Sequence, residues 1–386
     1  MQYREDKKSG NKLSVLSLGC MRLPSSSAKS EAVIMEAINN GINFFDTAYL
    51  YTGSEAALGH ALHKNNVRDK VYIGTKLPPY LCRKYDDFDK FFNRQLERLK
   101  TDYIDYYFIH SLFSEADWER LCSMGIEQWL HEKKTQGKIK QIGFSFHGPR
   151  DSFNAIIDAY DWDFCMIQYN YINTHYQAGV EGLRYAHSKG MPVFVMSPLL
   201  GGRLSDDLPK RALALLREKN PNTIEWAFRW LWNQPEVTLI LSGMSTVEQV
   251  KNNAALVEKA QVNGMSSEEL AIINQIVDIF SESYKIPCTA CNYCLPCPAK
   301  INIPDCFMAY NASYAINFVT GMKQYVMSMG ISSSKYVSVS SCNKCGKCEK
   351  SCPQGIAIME RLKDVRKRME PFWFKIIVSI VKKFLK

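Results

Sequence analysis

The 386-residue chain reads as an α/β protein: a (β/α)8 barrel of the TIM type, followed by a small, mainly α-helical, cysteine-rich domain. Eight short apolar runs recur along the first two thirds of the sequence, most of them about 30 residues apart and each followed by helical periodicity, the length of one βα unit. The runs are nearly continuous in apolar residues, as strands of a parallel sheet covered on both faces must be. Eight cysteines then crowd between Cys288 and Cys352. At about 250 residues for a barrel, this length leaves room for a second module.

The candidate strands are Val15–Gly19, Ile42–Asp46, Val71–Lys76, Ile104–His110, Ile139–Ser145, Phe164–Gln168, Val193–Ser197 and Thr238–Ser242. Between them, Lys29–Asn40 is helical and stops at Gly41, a suitable residue for a left-handed C-terminal cap, and Phe88–Lys100 is amphipathic. A doubly wound sheet is the competing topology, but no GxGxxG follows the first strand. The barrel pattern fades after a helix at Ser267–Phe280. The division expected is therefore 1–280 for the barrel, 281–360 for the cysteine-rich domain and 361–386 for a basic tail. Asp305–Met329 reads as helix and Ser332–Lys335 as loop.

Hydrophobic content of 46% and charged content of 23% are ordinary for a globular protein. The net charge of +9 is uneven: nine Lys and Arg against Asp364 and Glu370 put +7 beyond residue 360, leaving about +2 for everything before it. This excludes a nucleic-acid-binding face on the barrel. Met1–Lys8 has no apolar leader core and no run reaches the roughly 18 apolar residues of a membrane span, so a cytoplasmic protein is expected. From Phe372 to Lys386, Lys375, Ser379, Lys382, Lys383 and Lys386 fall on one narrow helical face and the rest is apolar. Such an element suits peripheral contact with an anionic membrane or a partner, and equally suits packing back on the protein.

In a (β/α)8 barrel the reacting groups stand at the C-terminal ends of the strands. The polar residues there are Asp46, Lys76, His110, Ser145, Gln168 and Ser197, with Tyr51 in the loop after Asp46. Asp, Tyr, Lys and His together suit reduction of a carbonyl by hydride. Tyr51 gives a proton to the developing alkoxide, Lys76 favours its phenolate, Asp46 balances that lysine and His110 orients the carbonyl oxygen. Taken singly, each has a structural reading: an ion pair, a packed ring, a strand cap.

These stretches carry a resemblance. Leu18–Pro24, Gly41–Tyr51, Gly74–Lys76, Asp102–His110, Ile142–Ser145, Gln168–Asn170, Ser197–Leu199 and Ser242–Thr246 resemble the aldo/keto reductase superfamily across the whole barrel. The resemblance implies Asp46, Tyr51, Lys76 and His110 as catalytic residues, a small-molecule carbonyl substrate, and NADP or NAD lying across the barrel mouth. It further implies Ser145, Gln168 and Asn170 at the nicotinamide end and Ser197, Leu199 and Gly201 along the pyrophosphate. Gly243, Gln249 and Asn253 would then lie around the adenosine. Two positions depart from the family: Met196 stands where an aromatic often stacks on the nicotinamide, and Gln249 where many members carry an arginine for the 2′-phosphate.

The cysteines form two runs. Cys288, Cys291, Cys294 and Cys297 are separated by two residues each, with Pro298 next; Cys342, Cys345, Cys348 and Cys352 end before Pro353. The second spacing is that of bacterial ferredoxins, in which three thiolates wrap one cube and the fourth reaches the other. Two [4Fe-4S] clusters are expected, one on Cys288, Cys291, Cys294 and Cys352, the other on Cys342, Cys345, Cys348 and Cys297. A pair of four-cysteine zinc sites is the alternative. The helical connector resembles α-helical ferredoxin-like modules, and barrels fused to such modules form a subgroup of the superfamily. Cys20, Cys82, Cys122, Cys165 and Cys306 read as packed thiols. A redox partner protein is the second reading of function, since a cluster moves single electrons and a hydride carries two.

Overall fold

The structure is a computed structural model that describes residues 1–205, 207–329 and 337–374. It divides into two units, Met1–Leu199 with Ile224–Ser266, and Leu200–Thr223 with Ser267–Lys386.

The first unit opens with a hairpin, β1 (Tyr3–Glu5) antiparallel to β2 (Lys12–Ser14). Eight parallel strands follow: β3 (Leu16–Gly19), β4 (Phe44–Asp46), β5 (Tyr72–Leu77), β6 (Ile104–Leu112), β7 (Ile139–Phe146), β8 (Phe164–Gln168), β9 (Val193–Met196) and β10 (Val237–Ser242). They pair in chain order and close through β10 against β3, so all eight expected strands form the expected barrel. Residues alternate across its wall. Phe44, Tyr106, Phe108, Phe164, Met166, Phe194, Leu239 and Leu241 fill the interior, whereas Phe45, Tyr107, Ile109, Cys165, Ile167, Val195 and Ile240 belong to the layer shared with the helices. Gly74 and Gly143 stand on the inward face because a Cβ at either would strike a ring, Phe108 and Phe44 in one case and Phe164 in the other.

The hairpin, absent from the strands read off the sequence, is too short for a period to show. It belongs to the N-terminal end of the barrel. Leu13 joins the interior cluster, and fully buried Asp6 accepts from the Tyr106 hydroxyl at 2.8 Å and from Ser9 Oγ at 2.6 Å. Arg4 donates to the carbonyls of Trp232 and Gln234. Trp118 and Trp129, both buried, lie in the core rather than in a pocket.

The second unit is helical. Lys210–Lys219 and Ser267–Ser283 pack together, with Arg211 meeting Glu282 and Lys219 meeting Glu268. The helix at 267–283, which the sequence assigned to the barrel, thus groups with the C-terminal unit. Its buried side is Ile273, Ile276, Ile279 and Phe280. The connector forms two helices, Ile303–Ala315 and Phe318–Ser328, because the side chain of Asn317 caps a new start by accepting from Thr320 N at 2.8 Å. A core of Ile286, Ile301, Phe307, Tyr325, Leu362, Val365 and Met369 joins them to Ile358–Met369. Arg368 fastens that helix by donating to Ser313 Oγ at 2.6 Å and lying 3.8 Å over the Tyr314 ring. The loop expected at 332–335 and the tail from 375 onward lie outside the described residues. Among those described, no helix is long and apolar enough to cross a membrane.

Gly59, on the helix Ser54–Lys64, is a tight point in the first unit. A Cβ there would lie 2.4 to 2.6 Å from backbone atoms of Arg98 and Leu99. Backbone cannot yield as a side chain can, so Gly59→Ala is expected to destabilise the barrel by about 1–3 kcal/mol despite alanine's better helix propensity. Urea denaturation followed by tryptophan fluorescence checks this.

Candidate functional site

The inward alternation that fills the barrel with rings also builds the site. Two residues beyond Phe44, Gly74, Phe108, Gly143 and Met166 come Asp46, Lys76, His110, Ser145 and Gln168, all buried and all at the C-terminal ends of their strands. Side chains two apart on a strand share a face, so the polar groups crown the aromatic interior.

Lys76 Nζ lies 2.5 Å from Asp46 Oδ1 and 2.7 Å from the Thr47 carbonyl. The ammonium is 4.9 Å from the centre of the Tyr51 ring, and that ring meets His110 edge-on, 5.8 Å between centroids. Asp46, Tyr51, Lys76 and His110, drawn from three strands and a loop, therefore stand together. Burial pushes Asp46 up and Lys76 down, and each opposes the other's shift by direct contact. His110 is held well below its ordinary value by burial, then by the Lys76 charge and His147, so it is a neutral imidazole. Its Nδ1 is buried without a hydrogen-bond partner.

Behind the site lies a polar network with no motif in the sequence to announce it. Glu55 Oε1 accepts from Thr75 Oγ1 at 2.7 Å and from Gln95 Nε2 at 2.9 Å, and Arg98 reaches Glu55 Oε2 at 3.0 Å. Gln95 also donates to the Lys76 carbonyl at 3.1 Å and accepts from the Tyr107 hydroxyl at 2.8 Å. These residues fix the backbone on both sides of Lys76. A polar glutamine among Phe88, Phe91, Phe92 and Leu99, on the buried face of the helix Asp86–Leu99, is the signal that could have found it.

The residues expected around a dinucleotide are placed as follows. Ser145 Oγ accepts from Ser111 N at 2.8 Å, which leaves its hydroxyl proton for another acceptor, and Gln168 is buried at the end of β8. Asn170 is spent largely on its own loop, accepting from Ile172 N and Asn173 N and donating to the Ser197 carbonyl. Ser197 has a positive φ of 58°, and half-buried Leu199 ends this unit's segment. Gly201, at φ 73° in the turn Leu200–Gly202, belongs to the second unit. A Cβ on Gly243 would lie 3.8 Å from the Arg22 side chain, Asn253 meets Ser242 at 3.4 Å, and Gln249 Oε1 accepts from Ser245 N at 2.8 Å.

In the second unit, Cys288, Cys291, Cys294 and Cys352 line one pocket, walled by Ile303, Phe307, Ile356 and Ile358. The last cysteine of the second run thus stands with the first three of the first. Cys294 is pushed up to about 12, by burial first and then by the sulfurs of Cys288, Cys291 and Cys352. Cys348 rises to about 11, by burial, opposed by a backbone hydrogen bond from Glu349 and with the charges of Glu349 and Cys297 adding, which sets Cys297 beside the second run. Cys342 is partly buried and Cys345 exposed. Among the described residues no three metal-binding side chains are drawn in around a single ion. Four soft donors on one apolar-walled pocket fit an iron-sulfur cube by the chemistry of the donor set. Of the five remaining cysteines, Cys20, Cys82, Cys165 and Cys306 are buried and Cys122 partly so.

Residues 15–278 match the profile of the Aldo/keto reductase family, and residues 287–357 that of a 4Fe-4S dicluster domain. L-galactose dehydrogenase of Arabidopsis thaliana is 29% identical over 289 residues, 68% of this chain and 88% of that protein. The holo form of the aldo-keto reductase AKR11C1 from Bacillus halodurans superposes with a TM-score of 0.61 at 26% identity, covering 72% of this chain and 96% of that one. An aldo-keto reductase from Klebsiella pneumoniae in complex with NADPH shares the fold, with a TM-score of 0.59 at 22% identity over 72% of this chain and 95% of that one.

His147, half-buried near the mouth with its Nδ1 shut off from water, is lowered to about 4 by burial, with Gln177 opposing. Between about pH 6.5 and pH 4 the unfolded chain takes up a proton at this residue that the folded chain refuses. Its contribution is whole above pH 6.5 and is lost as the pH falls, by up to about 3 kcal/mol. Urea denaturation across that window should show the wild type losing more stability than His147→Gln; parallel curves would count against this.

Proposed function

We propose, for a chain that belongs to the aldo/keto reductase family and carries a 4Fe-4S dicluster domain after its barrel, that Asp46, Tyr51, Lys76 and His110 carry out reversible NAD(P)H-dependent reduction of a small-molecule carbonyl. The chain is an oxidoreductase by family; the chemistry at these four residues is our reading. The observation that carries it is the buried Asp46–Lys76 pair with Tyr51 beside the ammonium and a neutral His110 edge-on to the phenol.

When bound, the dinucleotide supplies the hydride. Tyr51 gives its phenolic proton to the carbonyl oxygen as negative charge develops there. The Lys76 ammonium favours the phenolate left behind, and Asp46 with the Thr47 carbonyl holds that ammonium in place. A neutral imidazole can donate one hydrogen bond to the substrate oxygen without competing for the proton. Ser145 and Gln168 would hold the carboxamide, Asn170 the loop beside it, Ser197 and Leu199 the pyrophosphate, and Gly243, Gln249 and Asn253 the adenosine. The Klebsiella pneumoniae protein binds NADPH, which supports a dinucleotide of this kind here. Gln249 offers no guanidinium for a 2′-phosphate and its carbonyl is engaged by Ser245, so NADH is accepted as well as NADPH.

The cysteines would hold two [4Fe-4S] clusters, one on Cys288, Cys291, Cys294 and Cys352 and one on Cys297, Cys342, Cys345 and Cys348. The shared cavity supports the crossed arrangement. The second reading, electron transfer to or from a partner protein, is favoured by exposed Cys345, which would bring one cluster ligand to the surface.

Tyr51→Phe is expected to lower carbonyl reduction by about 10²-fold or more while leaving iron content and visible absorption unchanged. Anaerobic assay of both variants against a panel of aldehydes and ketones checks it, and undiminished turnover would remove Tyr51 from the mechanism.

A further inference from the structure

Along the helix Ile303–Ala315, the residues Ile303, Phe307, Tyr310 and Tyr314 recur at helical spacing on one face. Ile303 and Phe307 wall the pocket of Cys288, Cys291, Cys294 and Cys352. Tyr310 and Tyr314 line an open cleft, together with Phe318, Asp364, Lys367 and Arg368. The helix Ile358–Met369, packed against the first, repeats the order, with Ile358 on the pocket and Asp364 and Lys367 on the cleft. Phe307 and Tyr310 are about 5 Å apart along the helix axis, so the cleft begins where the pocket wall ends.

Tyr314, Phe318 and Val319 are 39%, 36% and 75% exposed, whereas Tyr310, its ring 5.3 Å from that of Tyr314, is buried. Arg368 is fixed over the Tyr314 ring by Ser313, and Lys285 Nζ lies 5.7 Å from the centre of the same ring. Asp364 is taken up by Arg361 at 2.8 Å. Exposed Lys285 and Lys367 have no ion-pair partner among the described residues. Contiguous exposed rings beside uncompensated cations mark an interaction surface, and its complement is an acidic surface with an apolar spot. The chain's own tail, with Lys375, Lys382, Lys383 and Lys386, would set like charge against like, as would a second copy of the patch. A phospholipid surface fits less well, because the cleft is concave and holds a carboxylate.

We propose that this cleft is the docking site of a small acidic electron-carrier protein that exchanges single electrons with the cluster on Cys288, Cys291, Cys294 and Cys352. In the reducing direction the carrier loses one electron and the cluster gains it; no bond forms or breaks and no proton moves. The inference rests on the electron-transfer reading and on the cluster assignment above.

The test uses anaerobic holoprotein whose iron and sulfide content shows its clusters in place. The probes are an acidic [2Fe-2S] ferredoxin and an acidic flavodoxin, with binding read by titration calorimetry and cluster reduction by stopped-flow absorbance. At least one probe is expected to bind at low salt and to lose affinity by about tenfold or more as salt is raised. Lys285→Glu combined with Lys367→Glu should weaken binding and slow cluster reduction by about tenfold or more, and Phe318→Ser should weaken binding with every charge kept. Lys7→Glu combined with Lys12→Glu, the same charge change on the barrel's hairpin, should do neither. If one patch variant does not fold, the other decides. Wild-type binding and reduction rates in the patch variants, or an equal loss in the hairpin control, would overturn the docking site and leave the electron-transfer reading standing. Binding to phosphatidylserine vesicles that the patch substitutions abolish while carrier binding persists would also overturn it. If neither probe binds or reduces the wild type, both readings fall. A wild type without clusters would bring down the cluster assignment, and this inference with it.

Discussion

Everything at the barrel mouth follows from one constraint: a closed sheet gives each strand a single inward face, and on that face only every second residue appears. Phe44, Tyr106, Phe108, Phe164 and Phe194 use the inward positions to fill the interior, so the next inward positions up the strands are the first that chemistry can use. Asp46, Lys76, His110 and Gln168 occupy them. A slip of one residue in any of these strands would turn its polar group into the helix layer and a ring out of the interior. The packing of the core and the register of the site are thus one requirement.

Such a site buries charge. Lys76 and Asp46 are almost wholly removed from water, and a buried ion pair is stable only with good geometry and further hydrogen bonds. Thr47 supplies one through its carbonyl, and Glu55, Thr75, Gln95 and Arg98 stiffen the strand that carries Lys76. His110 meets the same dry surroundings by staying neutral. Hydrophobic rings below and a satisfied polar network behind leave Tyr51 beside an ammonium and an uncharged imidazole.

The second unit handles its polar groups differently. Four of its cysteines line one pocket, and its interior accommodates the guanidinium of Arg203 against the Met308 thioether. Two helices where one was expected come from a single residue, Asn317, whose side chain caps a new first turn. The segment 200–223 leaves the barrel's own contact network and joins this unit, together with the helix 267–283.

The sequence by itself determined the barrel. Eight buried parallel strands must be apolar nearly throughout, and that pattern survives in composition and spacing without any partner in view. It also placed Asp46, Lys76 and His110 at strand ends and put the cysteines in two runs, because those features are local. What it could not carry was contact between residues far apart in the chain. The three-residue strands β1 and β2 are too short to show a period and exist because Leu13, Asp6 and Arg4 find partners on the barrel. Gln95 looks like one polar residue on an apolar helix face until Glu55, forty positions earlier, lies 2.9 Å away. Arg203 in a glycine-containing loop carries no signal at all, since what makes it unusual is burial against Met308, and burial is decided only when the chain is folded.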